Sequence, residues 1–179
     1  MTNSELPRPI RESYWVVPGK FLAGEYPDDW NETGTRRRIG ALLQAGFDTF
    51  IDLTRPDELA PYENILQEEA KIYEVKAVYH RFPIGDFGLP SPEQMLRILD
   101  TIDNAIHNGS RVYLHCRGGI GRTGTTVGCW LARHGLAGEN ALHRLGEMYQ
   151  AAEQSRSSPH SPETEEQRAF VLNWMEKEK

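Results

Sequence analysis

The sequence predicts a single α/β domain in which a mainly parallel central sheet is flanked by helices. Three observations lead there. Short apolar runs at residues 47–53, 76–82 and 112–114 read as strands, and each is followed by a segment of helical spacing. The third run passes through a glycine-rich loop straight into a helix, an arrangement typical of sheets whose sites lie at strand carboxyl ends. A chain of 179 residues is enough for one domain with a sizeable core. Residues 1–12 read as an N-terminal arm and residues 13–179 as the domain.

The elements follow in order. Residues 14–17 and 20–23 are β-like runs separated by Pro18-Gly19, a turn signal. Residues 33–45 read as a helix capped by Thr33 or Thr35 and ended by Gly46, with Ile39, Leu42 and Leu43 on its apolar face. Its Arg36, Arg37 and Arg38 lie in the first turn, against the helix dipole, and read as a solvated face or as an outer patch for an acidic partner. After the strand at 47–53, Asp52 reads as a loop acceptor, and Arg55 is placed either near the glycine loop or in an ion pair with Asp57 or Glu58. Residues 62–73 form a helix by the spacing of Ile65, Leu66, Ala70 and Ile72. Ser91-Pro92 opens another, with Met95, Ile98, Leu99, Ile102 and Ile106 facing the core and Gly109 as its stop. Residues 125–134, 139–150 and the stretch from Pro162 to about 176 complete the helices.

The chemistry concentrates in residues 115–124, His-Cys-Arg-Gly-Gly-Ile-Gly-Arg-Thr-Gly. A glycine-rich turn leading into a helix N-terminus gathers backbone N–H groups and positive potential, which makes an anion site before side chains are considered. Cys116 is the candidate nucleophile. Thiols attack as thiolates, which helix N-termini and neighbouring cations favour, and His115, Arg117 and Arg122 are placed to supply that setting. Arg122 carries the planar fork that grips two phosphate oxygens together. Thr123 can donate to the sulfur, and Arg117, Gly118, Gly119, Ile120 and Gly121 provide the cradle.

Other readings of this loop are weaker. Residues 119–124 fit the dinucleotide pattern G-x-G-x-x-G, but Glu139 opens a helical stretch rather than ending a second strand. The nucleotide P-loop fails because Thr125 stands where lysine is required. A tight turn around an inert buried cysteine leaves four glycines and two arginines unexplained. Cys129 is no redox partner: along a helix it lies about 9 Å from the loop at 1.5 Å per residue, beyond the roughly 7 Å a disulfide tolerates. It reads as a buried helix cysteine.

The pattern His-Cys-x5-Arg-Thr-Gly resembles the signature of the cysteine-dependent protein tyrosine phosphatases, including the dual-specificity branch. The resemblance implies their fold, a phosphocysteine intermediate, and no metal or cofactor. It also picks out Asp86-Phe-Gly-Leu-Pro90, which matches the second half of the family's acid loop Trp-Pro-Asp-x-Gly-x-Pro, with Ile84-Gly85 in place of Trp-Pro. Asp86 is thereby the proton donor to the leaving oxygen and the base in the second step. More softly, the residues around Trp15–Pro27 resemble the opening of small family members. Thr164, Gln167 and Phe170 fit the family's Gln-Thr-x-x-Gln-x-x-Phe stretch, with Glu163 at the first glutamine. Gln167 is thus a further site candidate, beside the alternative of a capped helix packing Phe170 and Trp174.

The resemblance implies phosphorylated proteins as substrates, or small phosphorylated molecules. Phosphoinositide members carry lysines inside the loop; here Arg117 is the extra cation, which favours a dual-specificity or small tyrosine phosphatase. A phosphate-binding adaptor without turnover is the reading from another class, and an arsenate reductase or sulfurtransferase would not need Asp86. Composition limits the rest. The net charge of −6 argues against general nucleic-acid affinity. No apolar stretch reaches the roughly 18 residues that span a bilayer, and residues 1–11 are polar, unlike a signal peptide. Two cysteines offer no disulfide framework, so a reducing, cytoplasmic setting is expected.

Overall fold

Strands β1 (Ser13–Val17), β2 (Phe21–Gly24), β3 (Thr49–Asp52), β4 (Val78–Arg81) and β5 (Val112–His115) form one sheet in the computed structural model, which describes residues 6–176. Their order is β1-β2-β5-β3-β4. β1 runs antiparallel to β2, while β2, β5, β3 and β4 are parallel neighbours. The first connection is the short turn predicted at Pro18-Gly19, where Gly19 takes a φ of 74°.

Among the described residues, six α-helices cover the two faces: α1 (Glu32–Gln44), α2 (Glu63–Ile72), α3 (Pro92–His107), α4 (Gly121–Arg133), α5 (Glu139–Tyr149) and α6 (Glu165–Leu172). Alternation along each buried strand divides the core in two. Val112 and Leu114 of β5 pack with α3 to α6, whereas Tyr113 joins Leu42, Phe47, Phe50 and Leu66 on the α1–α2 side. α4 is buried along nearly its whole length because α3, α5 and α6 surround it. This is the expected α/β architecture, and β5 lies at its centre with apolar layers on both sides.

Boundaries differ from the sequence reading in instructive ways. α1 starts at Glu32 and is capped by Asn31, whose side chain accepts the Gly34 N–H at 2.9 Å; Thr33 and Thr35 fall inside the helix. Asparagine is the better cap because its short carbonyl reaches back to the open N–H groups. α4 begins four residues before the expected 125, so Arg122, Thr123 and Gly124 belong to its first turn. α6 is confined to Glu165–Leu172 by the Thr164–Gln167 capping box and the Asn173 cap. The polar stretch after α5 contains a short 3-10 turn at Glu153–Arg156.

Residues 6–12, read as part of a loose arm, are tied down. Ile10 is buried, the Arg11 carbonyl accepts the Glu153 N–H at 3.1 Å, and Arg8 donates to the carbonyls of Ser13 and Ala151. The three arginines of α1 are all paired, which offsets their unfavourable place on the dipole. Arg36 meets Glu32, Glu68 and Glu69, Arg37 meets Asp29, and Arg38 meets Glu12 and Glu25. They staple α1 to α2 and to the strand ends, so they do not form a free cationic patch.

One buried carboxylate fixes the carboxyl end of β3. Asp52 accepts the Thr54 N–H and hydroxyl, each at 2.7 Å, the Tyr79 hydroxyl at 2.7 Å, and Arg81 Nη2 at 3.1 Å. Burial works to raise its pKa, but the charge that the adjacent His115 ring carries once protonated in acid, together with these donors, outweighs burial and holds it below the ordinary 3.8. A carboxyl with a depressed folded pKa stabilises fully above its unfolded value and loses that contribution as pH falls through the folded one. Asp52→Asn should therefore flatten the acid limb of a stability–pH curve below about pH 4. At neutral pH it should cost about 1–3 kcal/mol, read from urea melts, by leaving Arg81 and the donors poorly matched.

Candidate active site

The glycine loop joins the end of β5 to the start of α4, and its curl is held from outside. Three of its carbonyls accept bonds from other segments: Arg117 from the Tyr26 N–H at 2.9 Å, Gly118 from Gln154 Nε2 at 3.2 Å, and Ile120 from Ser161 Oγ at 2.7 Å. Each carbonyl turned outward turns the N–H of the same trans peptide the other way. Those peptides carry the N–H groups of Gly118, Gly119 and Gly121. Gly119 has a φ of 69°, and a Cβ there would lie 2.4 Å from the Gly24 carbonyl carbon. At Gly124 a Cβ would fall 2.1 Å from Ser161 Oγ. Both positions therefore require glycine.

Inside the curl is a small pocket of about 20 Å³, room for roughly one water molecule. The loop contributes Cys116, Gly118, Ile120, Gly121 and Arg122 to it; other segments contribute Asp86, Phe87, Glu163 and Gln167. Cys116 is buried with 2% exposure, at the carboxyl end of the central strand. Gln167 is fully buried, and its amide oxygen accepts the N–H groups of Glu163 and Thr164 while its Nε2 donates to the Gly88 carbonyl.

Arg122 is the most heavily bonded side chain of the site. Glu58 takes both ends of its fork, at 2.8 Å and 2.6 Å. Nη1 also donates to the Ile84 carbonyl at 3.0 Å, and Nη2 to Asp86 Oδ1 at 3.0 Å. The Arg122 hydrogen bonds hold the Glu58 carboxyl below the ordinary carboxylate range despite some burial. Asp86 sits in a tight turn closed by the Gly88 N–H on the Gly85 carbonyl at 2.8 Å, with Phe87 in the left-handed region at a φ of 57°. An incoming phosphoryl group can replace Asp86 on Nη2 while Glu58 keeps the guanidinium plane fixed.

His115, Thr123, Arg117, Gly119 and Arg55 fall outside the pocket wall. His115 is buried behind the loop among Tyr26, Tyr62 and Tyr113, with Nε2 2.6 Å from the Tyr62 hydroxyl. Burial depresses its pKa below 6.5 even with Asp52 Oδ1 4.0 Å away. Burial of the ring outweighs the nearby Asp52 charge and the Cys116 carbonyl 3.3 Å from Nδ1, so the neutral imidazole is favoured. His115 therefore does not supply the cation expected beside Cys116; it is a buried spacer. Thr123 Oγ1 is buried with no hydrogen-bond partner, so the expected bond to sulfur is not made in this state. Arg117 engages through its backbone while its side chain is exposed. Arg55 is also exposed, and it meets Glu58, whose carboxylate is committed to Arg122, through its backbone N–H and carbonyl.

Sequence reasoning did not find Glu58, Tyr62, Gln154 or Ser161 as site-building residues. Nothing local marks them, since each acts through a contact at least 36 positions away in sequence. Among the described residues, no group of three or more His, Cys, Asp or Glu is arranged to hold a metal ion.

Two stability tests follow from this geometry. Removing Glu58 takes two hydrogen bonds from a buried arginine and leaves it the Ile84 carbonyl and Asp86, so Glu58→Ala should lose about 2–3 kcal/mol in denaturant melts. Millimolar phosphate should raise its melting temperature more than that of the wild type, because the anion replaces the missing carboxylate. His115 with its depressed pKa contributes stability above about pH 6.5, lost as pH falls toward its folded value. His115→Asn should shrink the decline in melting temperature between about pH 7 and pH 5.

Known proteins bear on the site as follows. Residues 10–171 match the PTP-SAK family, described as the Swiss Army Knife protein, DSP-PTPase phosphatase domain. An uncharacterized protein of Methanocaldococcus jannaschii, MJECL20, is 37% identical over 95 residues, covering 53% of this chain and 58% of that one. The tyrosine-protein phosphatase cdc-14 of Caenorhabditis elegans is 33% identical over 133 residues, covering 70% of this chain and 17% of that protein. The chain thus spans less than two thirds of the length of either relative. Among solved structures, the active form of Tk-PTP superimposes with a TM-score of 0.64 at 25% identity, over 89% of this chain and 93% of the other. With the fold, the Cys116–Arg122 loop and a family match over residues 10–171 in agreement, the chain belongs to the dual-specificity and tyrosine phosphatase family, a family of phosphomonoester hydrolases.

Proposed function

We propose that this protein hydrolyses phosphomonoesters on proteins, phosphotyrosine and also phosphoserine or phosphothreonine, through a phosphocysteine. The observation that carries this reading is the convergence of Cys116, Arg122 and Asp86 on one pocket at the N-terminus of α4. The reaction needs no cofactor. Phosphate enters with its non-bridging oxygens against the loop N–H groups and the Arg122 fork, displacing Asp86 from Nη2. The Cys116 sulfur attacks phosphorus as the thiolate, the bond to the ester oxygen breaks, and Asp86 delivers its proton to that oxygen. Water then attacks phosphorus and passes its proton to the Asp86 carboxylate, the S–P bond breaks with its electron pair returning to sulfur as the thiolate, and phosphate leaves.

The surroundings support protein monoesters over the two other readings. Glu58, Asp86 and Glu163 all lie at or beside the pocket, with Arg117 the further exposed cation of the loop. Several phosphates on one inositol ring would meet that acidic margin and be repelled. An adaptor that only held phosphate would gain nothing from two carboxylates beside the thiol. A reducing compartment is the setting that such a thiol requires.

Release of phosphate from an aryl phosphate tests the reading. Cys116→Ser should abolish turnover. Asp86→Ala should keep binding and lose about 10²–10⁴-fold in rate, the usual contribution of general acid–base catalysis. A serine variant as active as the wild type would end the phosphocysteine mechanism. Phosphopeptide binding without turnover by the wild type would support the adaptor instead.

A further inference from the structure

The pocket over the nucleophile loop is too small to read more than the reacting group, so selection among proteins has to come from the surface beside it. A second cavity, of about 430 Å³, adjoins the Asp86 turn. Its apolar lining comes from Leu89 and Pro92 of that segment, from Ala169 and Phe170 of α6, and from Trp174 and Met175 after the helix. Phe170 and Trp174 stack with ring centroids 5.5 Å apart. Leu89 is 41% exposed, Met175 85%, and Phe87, next to Asp86, 59%. Trp174 is buried, and among the described residues its indole Nε1 finds no hydrogen-bond partner. Large apolar side chains left open together mark a contact surface. The groove is continuous with the active site through chain neighbours. Phe87 and Gln167 line the small pocket, while Leu89 and Glu166 line the groove. Gln167 Nε2 ties α6 to the Gly88 carbonyl, between Phe87 and Leu89, at 3.3 Å.

Resting on the phosphatase reading, we infer that this groove takes a large apolar side chain of the substrate protein, two or three residues from the phosphorylated one. Distance sets the register. From Gln167 at the pocket wall, Phe170 lies about 4.5 Å along the helix and Asn173 about 9 Å, at 1.5 Å per residue. An extended peptide leaving the pocket reaches that span in two or three residues at about 3.3 Å each. The lining sets the chemistry. Among the described residues that form it, Glu166 alone is charged, and it stands exposed at the rim. A second phosphate on the substrate would meet that carboxylate and be repelled. An aliphatic or aromatic side chain instead removes Leu89, Phe170 and Met175 from water as it removes itself.

Phosphotyrosine peptides test the groove by phosphate release. One carries leucine at the second and third positions before the phosphotyrosine, one carries leucine at the same positions after it, and one has alanine at all four. On the wild type at least one leucine peptide should show a kcat/KM about 10-fold above the alanine peptide, the scale of burying such a side chain. That ratio should fall toward one in the double variant Leu89→Glu, Met175→Glu, which sets two carboxylates in the groove. Met175→Ala, a milder change at an exposed position, should lose part of it. Equal efficiencies for the three peptides on the wild type overturn the groove, as does a ratio that survives the double variant. A preference for lysine over leucine at those positions overturns the apolar assignment in favour of pairing with Glu166. Para-nitrophenyl phosphate keeps the two failures apart. A wild type that releases no nitrophenol overturns the phosphatase reading itself, whereas ready release with no preference among the peptides overturns the groove alone.

Discussion

An anion site built from backbone works only if the carbonyls of that backbone are kept out of it. The ties on the carbonyls of Arg117, Gly118 and Ile120 meet this need, and much of the molecule is arranged to make them. Tyr26 comes from the segment after β2, Gln154 from the 3-10 turn after α5, and Ser161 from the approach to α6. Three distant parts of the chain thus hold one loop of five residues. Glycine is required where they press closest, at Gly119 against Gly24 and at Gly124 against Ser161. The curl is in this sense a tertiary structure, and its chemistry depends on contacts made well outside the motif.

Arg122 extends the same logic to side chains. A guanidinium aimed into a pocket with nothing behind it would be free to swing. Glu58 removes that freedom with two hydrogen bonds, and Glu58 is itself placed by a turn in which its N–H bonds to the Arg55 carbonyl. That turn leaves β3 immediately after Asp52, where the buried cluster of Thr54, Tyr79 and Arg81 fixes the strand end. Beside it, Tyr62 from the start of α2 grips His115 at the end of β5. The buried polar cluster therefore stands under both halves of the site, the cysteine on β5 and the arginine-orienting carboxylate after β3. Neutral imidazole suits this task, because a second buried charge there would need a partner that Asp52, with its donors already in place, does not have to spare.

The fold was largely legible because its signals are local. β2 and β5 are short apolar runs and β3 centres on Phe50 and Ile51, the Ser91-Pro92 start and the Gly109 stop of α3 are written in adjacent residues, and the loop carries its glycines in one stretch. Helix starts were less legible where two candidates compete: Asn31 outranks Thr33 as a cap, and α4 begins inside the motif with no capping side chain at all. The site was legible where one segment holds both ligand and chemistry, as with Cys116, Arg122 and the Asp86 turn. It was illegible where function comes from burial or distance. The neutrality of His115, the pairing of Arg36, Arg37 and Arg38, and the clamp from Glu58 all depend on which carboxylates the fold brings near, and spacing along the chain does not encode that.

The charge balance of the pocket shapes what it can bind. One arginine faces Glu58 and Asp86, with Glu163 beside them, so the side chains alone carry more negative than positive charge. A phosphoryl dianion is held against that excess by the loop N–H groups and the positive end of α4, both of which act over short range. Affinity is therefore confined to the volume directly over the curl. A single phosphate that fits there gains the full set of donors, and any second anionic group on the same ligand falls outside them, among carboxylates. In the proposed mechanism Asp86, one of the carboxylates at this margin, also moves the protons, so a change there that made the margin more welcoming to polyanions would also remove the acid.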